Sequence, residues 1–115
     1  MATIPDFSET ELDVIRQTLR ERYGHEVDMQ LVESEIRLHK TDRELTLCPG
    51  VYWTEKDCHF IVLKTGQQNY RCRFFYRVSE EYATGIDEYN DILDCIISLL
   101  RAEADHESKR QQDTA

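Results

Sequence analysis

The chain has 115 residues, 32% charged and 40% hydrophobic, with only 4 Gly and 2 Pro, the profile of one folded domain rather than a disordered chain. Its formal net charge of −9 disfavours bulk binding to nucleic acid or anionic lipid. No apolar run approaches the ~20 residues that cross a bilayer; the longest, Ile92 to Leu100, is broken by Asp94 and Ser98.

The elements follow from local pattern. After a short lead over residues 1–7, Ser8-Glu9-Thr10-Glu11 spells a capping box, with Phe7 and Leu12 placed as a hydrophobic staple. Leu12, Ile15, Leu19 and Tyr23 recur at helical spacing and Gly24 supplies the stop, which predicts a helix over 9–23. Val27, Met29 and Leu31 then alternate with polar residues as a first strand. The apolar parity moves to Val32, Ile36 and Leu38, which predicts a β-bulge within 32–35. Residues 40–43 make a polar turn. The second strand alternates Leu45, Leu47, Val51 and Trp53 against Thr46, Cys48, Tyr52 and Thr54, and Pro49-Gly50 within it predicts a kink, a bulge or an edge position.

Residues 55–57 turn the chain into a third strand, Cys58 to Lys64, apolar at nearly every position; 65–69 form a hairpin loop. The fourth strand, Tyr70 to Arg77, has two unlike faces, Tyr70, Cys72, Phe74 and Tyr76 against Arg71, Arg73, Phe75 and Arg77. Residues 79–81 can begin a helical turn that Thr84-Gly85 breaks. The last helix is predicted over 86–104, with Ile86, Tyr89, Leu93, Ile96 and Leu100 as its seam. The expected architecture is a single α+β domain over residues 1–105, order α-β-β-β-β-α. A four-stranded antiparallel meander carries N- and C-terminal helices mainly on one face. Residues 106–115, polar and aperiodic, read as a disordered tail.

The informative site lies on the other face. Either register of the third strand leaves two large apolar side chains outward, Ile61 and Leu63 or Phe60 and Val62, beside the arginines of the fourth. Tyr52, Arg71, Arg73, Phe75 and Arg77 thus form a mixed aromatic and cationic patch, the candidate partner-binding residues. An apolar patch of this kind marks an interaction site, most simply with a second copy across a two-fold axis, and arginine forks suit an acidic partner segment. The ordinary alternatives are a helix wrapped over that face and arginines lying over aromatic neighbours. An anionic small molecule or a single-stranded nucleic acid is the other possible occupant; the order of elements and the Tyr70–Arg77 pattern differ from those of an RRM.

Chemistry is hard to find in the chain. Cys48, Cys58, Cys72 and Cys95 form no C-x-x-C pair and scatter over the predicted strands and helix, so neither a zinc site nor a disulfide framework is expected. No nucleophile motif, phosphate loop or dinucleotide fingerprint is present, and His59 beside Tyr52 reads as packing. The acidic clusters on the helices sit at the spacing of solvated faces. The N-terminus lacks the basic start and apolar centre of a secretory signal, which makes the cytoplasm the expected location. In size and charge the chain resembles the small acidic dimeric chaperones of bacterial secretion systems, whose order of elements differs. The expectation is a non-enzymatic adaptor- or chaperone-like interaction module, a homodimer or bound to another protein, without metal or cofactor and away from membranes.

Overall fold

Two helices lie on one side of a curled, five-stranded antiparallel sheet, in a computed structural model that describes residues 4–77 and 79–113, with side chains as far as residue 109. The first three residues of the lead and residues 114–115 of the predicted tail lie outside the described residues. The elements are α1 (Glu9–Tyr23), β1 (Gln30–Ile36), β2 (Thr46–Glu55), β3 (Cys58–Gly66), β4 (Asn69–Phe75), β5 (Glu81–Tyr82) and α2 (Ile92–Asp113). The strands pair in chain order, β1-β2-β3-β4-β5. The class is α+β, with one strand more than the sequence suggests.

Local chemistry sets both ends of α1. The Ser8 hydroxyl accepts the Glu11 N–H at 3.1 Å and the Glu11 carboxylate accepts the Ser8 N–H at 2.7 Å. Gly24 ends the helix at φ +77°, a left-handed conformation that costs glycine little, and its N–H reaches the Arg20 carbonyl at 2.8 Å. Phe7, Leu12, Ile15 and Leu19 are buried in the core.

The last helix begins six residues later than its apolar pattern implies. Tyr70 and Tyr89 exchange both backbone hydrogen bonds at 2.8 Å, which holds the chain before Asp91 in an extended path. Asp91 then caps α2, its carboxylate accepting the Asp94 N–H at 3.1 Å. The buried stripe is Ile92, Cys95, Ile96, Leu99 and Leu100; of the expected seam Tyr89, Ile96 and Leu100 are buried, while Ile86 and Leu93 are exposed. At the other end α2 continues through residues 106–113, where the sequence reads as a tail. His106 stacks among Phe74, Tyr76 and Tyr82, and the Tyr76 hydroxyl donates to Glu107 at 3.1 Å. These contacts anchor polar turns that carry no apolar periodicity. Glu81 and Tyr82, expected in a helical turn, instead pair with Phe75 and Phe74.

The register of β3 is settled. Phe60 pairs Trp53 and Phe74, and Val62 pairs Val51 and Cys72, so these six face the helices and are all buried. The helical layer stops short of β1: Leu31 and Leu47, on the same side of the sheet, are 69% and 52% exposed. No bulge occurs in β1, which pairs β2 without a register shift; the one irregularity lies between Lys64 and Gly66. The parity change has a simpler cause. Val27 and Met29 precede the strand and pack against the core from an irregular segment, and β1 begins only at Gln30.

Candidate functional site

Ile61, Leu63, Arg71, Arg73 and Phe75 share the sheet face that the helices do not cover, with Ile61 opposite Arg73, Leu63 opposite Arg71 and His59 opposite Phe75. That face is concave. Ser34 and Ile36 from β1, Ile61 and Leu63 from β3, Arg71 and Arg73 from β4, and Glu81 from β5 line one cleft of about 320 Å³. In a flat sheet, strands three places apart lie roughly 14 Å from one another, so β1 and β4 can line one cleft only because the sheet curls. The curl is visible directly: the Leu38 carbonyl, just past β1, accepts a hydrogen bond from Arg71 Nη2 at 2.8 Å.

Gly50 explains how the curl is reached. It points to the concave side between Val32 and Leu63, its partners on β1 and β3. A Cβ there would lie 2.8 Å from Leu63 Cδ2 and 3.0 Å from Val32 Cγ2. The absence of a side chain lets these two close over the strand, the use of glycine where a sheet bends sharply. Pro49 sits beside it, where the ladder with β3 has ended and only the pairing with Glu33 on β1 continues. The Pro-Gly pair therefore marks the point at which β2 leaves one neighbour and folds with the other.

The two cleft arginines are held differently. Arg71 is anchored through Nη2 to Leu38, while its Nε is buried and has no hydrogen-bond partner among the described residues. Arg73 donates from Nη1 to the Cys72 carbonyl of its own strand at 2.8 Å. Glu81 at the rim forms no ion pair with either among the described residues. Against this charge stand the half-buried Ile36, Ile61 and Leu63, whose remaining apolar surface a partner would cover at about 25 cal/mol per Å².

The other candidate residues lie at the far end of the face or beyond it. Tyr52 hydrogen-bonds His59 Nδ1 through its hydroxyl at 2.6 Å, and its ring lies 6.0 Å from the imidazole. His59 stacks on Phe75 at 5.0 Å. Tyr52, His59 and Phe75 thus form a ladder of rings across three strands, in contact with one another. Arg77 lies past the end of β4, exposed, in the turn closed by the Glu80 N–H to its carbonyl at 2.8 Å. The sequence pattern brings Arg71 and Arg73 to the cleft and leaves out Ser34, Ile36 and Glu81. Ile36 was detectable in principle from the even-numbered apolar set on β1; Glu81 was hidden by a two-residue strand.

The covered face carries its own charged cluster, used differently. Lys64 is only 4% exposed. Its ammonium donates to Glu11 at 2.7 Å and to the Asp6 carbonyl at 3.1 Å, and the Tyr70 hydroxyl donates to the other Glu11 oxygen. Burial pushes the Glu11 carboxyl upward, but the hydrogen bonds from Lys64, the Ser8 N–H and Tyr70 outweigh it and hold the group below its ordinary range. Tyr70 is raised by burial and by the Glu11 carboxylate it donates to. This cluster is closed on itself.

The thiols are poor candidates for chemistry. Burial pushes Cys58 up to about 12 and raises Cys48, away from the thiolate a nucleophile needs. Cys95, on α2, is raised chiefly by its hydrogen bond with Cys72; the same bond lowers Cys72 against the effect of burial, but both thiols are closed to solvent. Among the described residues no group of three or more His, Cys, Asp or Glu is placed to hold a metal ion, and no helix is long and apolar enough to cross a membrane. No family model matches the chain, and neither a curated protein nor a solved structure gives a match.

Proposed function

We propose that the protein is a non-enzymatic interaction module, adaptor- or chaperone-like, that holds an acidic, partly apolar protein segment against the concave face of its sheet. One observation carries this reading: Ile36, Ile61 and Leu63, half-buried, share a cleft with Arg71, whose buried Nε has no partner among the described residues. That Nε is itself closed to solvent, so a partner would meet the outer guanidinium nitrogens, and a carboxylate is the acceptor they suit best. The shape bears on the homodimer. Two concave faces are not self-complementary, so a second copy would enter the cleft with a protruding segment rather than face to face. Four free thiols suit a reducing compartment such as the cytoplasm.

Fluorescence anisotropy with a labelled nonapeptide of alternating leucine and glutamate tests the reading. The acidic peptide should bind, its leucine–lysine counterpart should not, and Arg73→Glu should weaken binding about tenfold or more, the effect expected of a central arginine. Equal binding of both peptides, or binding indifferent to Arg73→Glu, would sink it. A second reading, an anionic small molecule, is supported by the cleft's volume of about 320 Å³, near the lower limit of small-ligand sites. Binding of a short fatty acid that displaces the acidic peptide would favour it.

A further inference from the structure

The strongest feature outside the cleft is an exposed loop. Between β5 and α2, residues 83–88 pass through Gly85 at φ +93° and present Ile86 to solvent at 53% exposure, followed by Asp87 and Glu88. The Thr84 side chain braces this tip from within. Its oxygen lies 3.3 Å from the Ile86 N–H and 3.4 Å from the Ile86 carbonyl, and its hydroxyl also bonds the buried Tyr89. Glu88 is engaged by the Thr65 hydroxyl. Asp87 is exposed and makes no hydrogen bond or ion pair among the described residues. The result is a braced apolar knob with one free carboxylate beside it.

The cleft offers the opposite: a short apolar wall from Ile61 and Leu63 beside two arginines, reduced by Glu81 to a net charge of +1 at its lining. We infer that the partner segment is this loop of a second copy, with Ile86 of one protomer against Ile61 and Leu63 of the other and Asp87 beside Arg71 and Arg73, the contact being made twice about a two-fold axis. The inference rests on the cleft being a binding site, as proposed above. Charge sign and polarity match on both sides. The loop is held in shape before binding, which reduces the ordering cost of association. The cleft is small, so it suits a knob of a few side chains better than a helix 10–12 Å across. Each copy carries −9 overall, a repulsion largely screened beyond about 8 Å at physiological salt, so the contact is local.

Sedimentation velocity of the full chain across a range of concentrations, at physiological ionic strength, tests this. Wild type should dimerise; Ile86→Asp, on the knob, and Arg73→Glu, in the cleft, should each weaken dimerisation about tenfold or more. Asp87→Arg alone should do the same, and combining it with Arg73→Glu should restore the dimer. Circular dichroism checks that each variant is folded, and the exposed Asp87 keeps the test usable should Arg73→Glu unfold the chain. A strict monomer, or a dimer that survives Ile86→Asp and Asp87→Arg, overturns the inference. The peptide titration separates this from the earlier reading. If Ile86→Asp leaves association unchanged but Arg73→Glu still abolishes peptide binding, the cleft is a binding site and the partner is another protein.

Discussion

The two faces of the sheet treat their cations differently. On the covered face Lys64 is almost fully buried and each of its neighbours is accounted for: Glu11 for the charge, the Asp6 carbonyl for a second donor, and Tyr70 closing on the same carboxylate. The neutral Trp53 Nε1 and Tyr23 hydroxyl, also buried, have at most a weak contact with each other among the described residues. On the concave face Arg71 is only half-buried, is satisfied at one nitrogen, and keeps an Nε without a partner among the described residues, next to apolar side chains. A buried charge is tolerated only when paired. The closed cluster around Lys64 therefore reads as part of the fold, and the incomplete one around Arg71 as a place where something else completes the set.

Aromatic truncations should separate the faces most clearly. Phe60 is 1% exposed and stacks on Trp53 at 5.2 Å, while among the described residues Phe75 stacks on His59 alone, across the concave face. Phe60→Ala should cost about 3–5 kcal/mol, enough to unfold a marginal domain. Phe75→Ala should cost less, about 2 kcal/mol, for a partly buried ring and one ring pair. Urea unfolding of the two variants measures the contrast; equal losses would mean that the concave face is core.

Next in size is the Lys64 cluster. Lys64→Met leaves the Glu11 carboxylate buried without its cation and should cost about 3 kcal/mol at pH 7. The loss should depend on pH in a definite direction. The folded state holds Glu11 below its ordinary value of 4.5, so the stability it contributes is present above that value and disappears as pH falls through the lower folded-state value. The gap between wild type and Lys64→Met should therefore be full at pH 7 and shrink in acid. Urea midpoints of both proteins at pH 7 and pH 3.5 check this, and a gap that widens in acid would remove Glu11 as the partner that matters.

What could be read in the sequence divides along the same line between local and distant causes. The capping box at Ser8 and the stop at Gly24 depend on residues a few positions apart, and the structure has both. Strand order followed from alternation and short turns. The register of β3 did not, because a loop length uncertain by one residue exchanges Phe60 with Ile61. The start of α2 was displaced because Ile86 continues the apolar pattern while the backbone of Tyr89 is claimed by Tyr70, a contact 19 residues away that no periodicity reports. His106 and Glu107 hold the end of α2 through rings on β4 and after it, which polarity alone cannot reveal. Arg71 and Arg73 were recognisable as candidates from their parity, but the cleft was not. Its curvature comes from Val32 and Leu63 closing over Gly50, side chains from the two strands that flank β2.

A modest effect on stability is the most telling about the site. A Cβ at Gly50 must push aside Leu63 Cδ2 and Val32 Cγ2, and it also lies 3.3 Å from the Val62 carbonyl of the neighbouring strand. The first is the mobile end of a leucine; the second belongs to a β-branched side chain and the last is backbone, and both yield less. Gly50→Ala should thus cost about 1–2 kcal/mol as a mild overpacking and leave the helical layer intact, since Val51 and Trp53, which follow the bend, face the other way. Its effect on the concave face should be disproportionate. Spreading Val32 from Leu63 moves β1 away from β3, draws Leu38 off Arg71 and widens the cleft. The acidic peptide, or the second copy, should then bind at least several-fold more weakly although no lining residue has changed. If Gly50→Ala instead lowers stability without touching binding, the curl is a property of packing alone and the cleft's shape is not what recognises the partner.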